Sequence, residues 1–400
     1  MFFSLARAMS FEEYGKFAFG FSLALVLAKA ATVGQPQLLL RLLPGTVAFD
    51  TTWRTVLRYT LRNVLIAGCL ASLVLVAFGV SEGAYRYILA AAPLCILLSL
   101  SEFQSALLRA RNRIAWAIAP REVIWRGMVV ALALVFWISG QDGLTAAAVF
   151  GFSSLFLALV LVLQTRTDKA VRYGTSLSGD THDLDPTWAR ISRRFWLTSL
   201  VIFGTPNLSV VIVGAVLDVA DSGPFFAALK TAQLMQLVLM AANIVTMPLI
   251  SKYHKARNTD AIQAICTTVS LAAGLVALFG LVIIWVFGVH ILRLYGAGFE
   301  VAWAEMVALG IGFAVSGMNG PNGPALNMTG HEAKFGNIIL ISNGLGLVSL
   351  VPAVYFFGSI GAACVVSGSM IVWNVWARSA CQRLTGVDPS IIGVFKRGWT

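Results

Sequence analysis

Apolar runs of about 20 residues recur along the whole chain, separated by short stretches rich in Arg, Lys, Gly and Pro. They fall near residues 17–39, 63–80, 87–108, 117–138, 144–163, 195–217, 225–250, 268–292, 304–328, 335–357 and 361–379. A run of that length is what a helix rising 1.5 Å per residue needs to cross a hydrocarbon core about 30 Å thick. Spans of a membrane barrel would instead show about ten residues of alternating polarity, and the chain has no such pattern. The pattern therefore predicts an all-α polytopic membrane protein with eleven spans.

Composition agrees: 58% of residues are hydrophobic and 12% charged, against roughly 25% charged in an ordinary globular domain. The net charge of +11 does not point to nucleic acid, because the basic residues form short clusters between apolar runs rather than a stripe on a polar face. They read as topology signals. Of 29 Lys and Arg, 21 lie in one alternate set of connections, among them Arg41, Arg54, Arg58, Arg62, Arg109, Arg111, Arg113, Lys252, Lys255 and Arg257. The opposite set holds only Arg7, Lys16, Arg86 and Arg293, which makes the first set and the C-terminus cytoplasmic. Lys29, Arg121, Arg126 and Lys230 are left inside spans. An odd number of spans then puts residue 1 outside, and Met1 to Ala6 reads as the last turns of a missing first helix, so twelve helices are expected in the complete protein.

The long polar connection at 164–194, with Asp180, Asp183, Asp185 and Pro186, divides the chain. The expected organisation is an N-terminal lobe over 1–163, a cytoplasmic linker over 164–194, and a C-terminal lobe over 195–400. Glu13 to Ala18 aligns with Asp221 to Phe226, as a parallel repeat of two six-helix halves would require.

The run from Gly320 to Glu332 carries the most specific information. Pro321 and Pro324 interrupt a helical ladder, and Gly330 suits a left-handed helix stop. Such backbone survives at membrane depth only inside protein or beside a wet cavity. Gly320, Pro321, Pro324, Leu326, Asn327, Met328, Thr329, Gly330 and His331 resemble the signature of Wzx-type polysaccharide flippases. Leu5 to Phe17 resembles the segment those flippases place after their first helix, with Ser10-Phe11 where Gly-Pro is usual. Gly223-Pro224-Phe225, Ala241-Ala242-Asn243, Leu294 to Phe299 and Gly358 to Ala363 come in the family's order. The resemblance implies the two-lobe fold of the multidrug/oligosaccharidyl-lipid/polysaccharide (MOP) exporter superfamily, which includes the MATE drug exporters. It also implies an undecaprenyl-diphosphate-linked oligosaccharide as cargo, a bacterial inner-membrane location, and polysaccharide polymerase and export proteins as neighbours.

An anionic diphosphate needs fixed cations to enter hydrocarbon. Lys29 is expected near mid-span, roughly 18 Å from a helix start near residue 17, and Arg126 and Lys230 join it as candidate substrate contacts. Arg126 has Glu122 one turn before it, so a neutralising i,i+4 pair is the alternative reading. Arg121 lies close enough to the cytoplasmic end to snorkel. Glu102, a carboxylate inside a span, either binds a coupling ion or pairs with an arginine. Asn327 and Thr329 either meet sugar hydroxyls or satisfy backbone groups freed by the prolines.

Other chemistry is sparse. Cys69, Cys95, Cys266, Cys364 and Cys381 show no paired spacing, the four histidines are scattered, and no phosphate-binding glycine loop occurs. No metal, cofactor or enzymatic activity is expected. A membrane glycan polymerase or ligase would need large outer loops, which the chain lacks. An ion-coupled drug exporter would favour acidic sites over Lys29, Arg126 and Lys230.

Overall fold

The computed structural model describes residues 1–43, 51–81, 86–139, 143–167 and 187–393, all helix and connection with no strand among them. The linker acids Asp180, Asp183 and Asp185 lie outside the described residues. Nine helices are long and apolar enough to cross a membrane among the described residues. The helix over Glu332–Thr385 contains a reversal at Gly358, where φ is 66° and ψ −155°, and so serves as two of the eleven expected spans. The expected span at 117–138 is present but interrupted by a π-helical stretch, Pro120–Trp125. The chain forms two compact units, Met1–Val211 and Ile212–Thr400.

In the first unit the helices are α1 Phe2–Ala8, α2 Phe11–Ala31, α3 Gln35–Leu42, α4 Thr51–Ser81, α5 Arg86–Ala110, α6 Ile114–Ala119, α7 Arg126–Ile138, α8 Ala146–Thr167 and α9 Thr187–Val216, whose last residues pass into the second unit. α5 is the hub, packed against α2, α3, α4 and α8. Between apolar helices in lipid, attraction comes from close packing and shared hydrogen bonds. Accordingly Ser72 of α4 donates to the Ala92 carbonyl of α5 at 2.8 Å, and the Phe17 ring of α2 stacks on Phe150 of α8 with centroids 5.6 Å apart. The start of α9 is held in this unit too, since Trp196 donates to the Ala30 carbonyl at 2.8 Å and Gln37 to Ser199 at 3.1 Å.

The second unit contains α10 Ser222–Gln233, α11 Leu237–Lys255, α12 Thr259–Tyr295, α13 Trp303–Asn319, α14 Asn322–Met328 and α15 Glu332–Thr385. Its hub is α13, packed on α10, α12 and α15. Each unit thus runs through a broken helix, a long helix and a hub, and then a short piece.

Gly320 ends α13 with φ 64° and ψ −151°. A side chain there would strike the Ser270 hydroxyl and the Pro389 carbonyl, so the position requires glycine on conformation and on space. α14 comes next as a short buried helix, with Asn322 donating to the Asn374 side chain at 3.1 Å. The irregular backbone at Gly320 and Pro321 is covered by protein, as a bilayer demands.

Beyond α15 the chain turns back and is clasped by Asp388. Its carboxylate accepts from Arg378 Nε at 3.1 Å and Nη2 at 3.0 Å, from the Ser390 hydroxyl at 2.7 Å and from Gln382. Gln263 of α12 bridges the same turn through the Asp388 amide and carbonyl, each at 2.7 Å. Burial opposes ionisation, yet the hydrogen bonds from Arg378 and Ser390 outweigh it and hold the Asp388 carboxyl below its usual range. A lowered carboxyl pKa means stability that is present above the unfolded value, near 3.9, and is lost as pH falls through the folded value. Asp388→Asn should therefore cost about 1–3 kcal/mol at neutral pH. The variant should also lose less stability than the parent on acidification from about pH 5 to below pH 3. Thermal unfolding of both in one detergent checks this, and parallel pH curves would refute the role given to the carboxylate.

Candidate functional site

α2 begins earlier than the apolar run suggests. The Ser10 hydroxyl accepts from the Glu13 amide at 3.3 Å and caps the helix at Phe11. The first-turn charges neutralise one another, with Lys16 2.8 Å from Glu12 and 2.9 Å from Glu13, and Glu13 also accepts from the Ala146 amide at 2.7 Å. Polar residues that a hydropathy window rejects are thus part of the helix. Lys29 lies about 27 Å along α2 from this start, in its last turn. There α2 breaks at Thr32–Gly34 before α3 resumes.

That break leaves Lys29 facing charges from two other helices. Lys29 Nζ is 3.7 Å from Glu102 Oε2 of α5, while Arg121 Nη1, in the π-helical stretch, donates to Glu102 Oε1 at 2.6 Å. Arg121 Nε lies 3.6 Å from Glu122, and Glu122 is 2.6 Å from Arg126 Nη2 at the start of α7. Lys29 also stands over the Phe203 ring of α9, 5.7 Å from its centroid. Five residues, of which the sequence joined only Glu122 and Arg126, therefore form one chain of ion pairs, Lys29–Glu102–Arg121–Glu122–Arg126. Three cations face two carboxylates.

The contacts also differ in strength. Glu102 spends its short bond on Arg121 and meets Lys29, whose side chain is 16% exposed, only loosely. Glu122 and Arg126 form the i,i+4 pair noted as the alternative for Arg126, at 38% and 43% exposure. Arg121 does not snorkel. It is 20% exposed and bonded to Glu102, because the π-helical turn after Pro120 aims it at α5 rather than along its own helix.

In the second unit Lys230 sits in the last turn of α10, 3.3 Å from Gln233 Oε1 and 5.0 Å from the Phe226 centroid. The Thr329 hydroxyl donates to the Ala325 carbonyl at 2.8 Å and is 3.1 Å from His331 Nδ1, while Gly330 adopts φ 84°. Asn327 is half-buried on α14. Sequence reasoning passed over Glu305, which is 7% exposed near the start of α13 and accepts from the Ser359 hydroxyl just past Gly358. It stands at the edge of the apolar run 304–328 and belongs to no motif.

No family model matches the chain. A curated protein, the probable flippase AglR of Haloferax volcanii, is 27% identical over 303 residues, 72% of this chain and 59% of that protein. The chain thus spans about six tenths of the length of the relative it matches. Among solved structures, an inward-facing multidrug-resistance MATE transporter of the MOP superfamily superposes with a TM-score of 0.69 at 14% identity, over 96% of this chain and 95% of that one. A MOP-superfamily transporter from Pyrococcus furiosus, described as having a binding pocket of reverse polarity, gives 0.64 at 13% identity over 96% and 95%. The chain has the MOP-superfamily fold.

The protein is a multi-pass membrane protein. Within the MOP fold the ion-pair chain lies on α2, α5 and the start of α7, all in the first unit.

Proposed function

We propose that the chain is a flippase for an undecaprenyl-diphosphate-linked oligosaccharide, carrying an O-antigen, capsule or exopolysaccharide repeat unit across the inner membrane by alternating access. The observation that carries this reading is the unbalanced ion-pair chain, in which Lys29 is a positive charge on a helix long and apolar enough to span a membrane, with only a 3.7 Å hold on its counter-ion. A fixed cation without a full partner stabilises an anion that must leave water. The likeness to a probable flippase and the MOP fold support the same conclusion. Arg126 and Lys230 are the further cations proposed to meet cargo. Glu102 and Glu122 hold the arginines in place, and Gly320, Pro321, Pro324, Asn327, Thr329 and Gly330 shape the second unit. The distribution of Lys and Arg supports a cytoplasmic C-terminus. Neighbouring proteins that polymerise or export the glycan are its expected partners, and the chain itself performs no catalysis.

Drug export is the rival activity for this fold, and charge separates the two. Proteoliposomes holding the full chain should move a fluorescent polyprenyl-diphosphate saccharide between leaflets and should not accumulate a cationic dye such as ethidium under an imposed Na⁺ or H⁺ gradient. Dye accumulation without movement of the lipid would overturn the proposal.

A further inference from the structure

The two arms of α15, 332–357 and 359–385, run back to back from Gly358 and leave a groove between them. Toward its middle is an apolar cavity of about 620 Å³ lined by Leu345, Val348, Pro352, Val365, Gly368 and Val372. Nearer the ends of the arms lies a second cavity of about 630 Å³, lined by His331, Lys334, Trp376, Ser379, Arg383 and Leu384. Val372 of the first cavity and Trp376 of the second are one turn apart on the same helix face, so the cavities lie end to end along one helix pair. One end is apolar and the other basic.

The basic end is built by the signature segment. The Thr329 hydroxyl, which donates to the Ala325 carbonyl, is 3.1 Å from His331 Nδ1, and this contact holds the imidazole at the edge of the cavity. Lys334 and Arg383 come to the same cavity from opposite arms, and Trp376 supplies an indole of the kind enriched where headgroups meet acyl chains. Leu345, Val348, Val372 and Val375 are all about half exposed or more, as lipid-facing side chains are. Lys334 and Gly346 are twelve residues apart, roughly 18 Å along the arm, close to the depth of one leaflet.

We propose that this groove binds one anionic phospholipid of the surrounding bilayer, with its phosphate between His331, Lys334 and Arg383 and one acyl chain against Leu345, Val348, Val365 and Val372. Charge complementarity at one end and an apolar trough of leaflet length at the other select a lipid rather than a free anion. The exposed apolar face around the groove selects a bilayer lipid. The site is independent of the identity of the cargo.

Native mass spectrometry of the full-length protein tests the assignment, with phosphatidylglycerol, phosphatidylcholine and inorganic phosphate as probes and a polyprenyl diphosphate as competitor. Phosphatidylglycerol should be retained over phosphatidylcholine. Lys334→Gln with Arg383→Gln, both exposed positions, should weaken phosphatidylglycerol about tenfold. Gly368→Leu should weaken both phospholipids, since an added carbon at Gly368 meets no atom within 4 Å and the longer side chain enters the groove. Retention unchanged in either variant would overturn the proposal. So would full displacement by inorganic phosphate, which would remove the acyl trough, or preferential occupancy by the polyprenyl diphosphate, which would reassign the site to a different lipid.

Discussion

Lys29→Ala is expected to lower translocation of a polyprenyl-diphosphate saccharide about a hundredfold, the effect of losing one charged contact of about 3 kcal/mol in the rate-limiting complex. The fold should tolerate the change. Glu102 keeps its 2.6 Å bond to Arg121 when Lys29 is removed, so no carboxylate is stranded, and only the 3.7 Å contact and the Phe203 ring contact are lost. Lys29→Arg should recover part of the activity, since charge is kept while the point-like ammonium is replaced by a planar guanidinium. Initial rates in proteoliposomes, normalised to folded protein, give the comparison. Wild-type rates in the alanine variant would remove Lys29 from the path of the cargo.

The class of fold was legible because lipid imposes it, and spans of about 20 apolar residues leave few alternatives. The breaks were legible for the same reason, since Pro321, Pro324 and Gly330 interrupt an apolar run where only a covered helix end can sit. Helix starts were less so. α2 begins at Phe11 because Ser10 caps it and because Lys16 neutralises Glu12 and Glu13, a local pairing that a hydropathy window scores as three separate charges. The ion-pair chain was half visible. Glu122 and Arg126 announce each other at i,i+4, whereas the Glu102–Arg121 bond joins α5 to the π-helical turn and depends on packing that no periodicity encodes. Glu305 was invisible because its burial depends on the reversal at Gly358, which brings Ser359 onto it.

The largest effect on stability is expected from Glu102→Gln. The amide would leave Lys29, 16% exposed, without its carboxylate and Arg121, 20% exposed, with only the 3.6 Å contact to Glu122. Removing one partner of a buried pair costs about 3–5 kcal/mol, because the remaining charge stays desolvated. Glu122→Gln offers a control of the same chemistry a few ångströms away. That carboxylate pairs with Arg126 at 2.6 Å, but both side chains are more than a third exposed, so the i,i+4 contribution is only about 0.3–0.5 kcal/mol. The two substitutions should therefore differ several-fold in their effect on the unfolding midpoint in detergent, although the bond lengths are equal. Arg121→Gln should be as damaging as Glu102→Gln, and the double variant should cost less than the sum of the two by about 1–3 kcal/mol, the coupling of a shielded pair. Equal midpoints for Glu102→Gln and Glu122→Gln, or strict additivity in the cycle, would mean that water reaches Glu102 freely. An anion would then gain little from Lys29, and the proposed transport role would lose its physical basis.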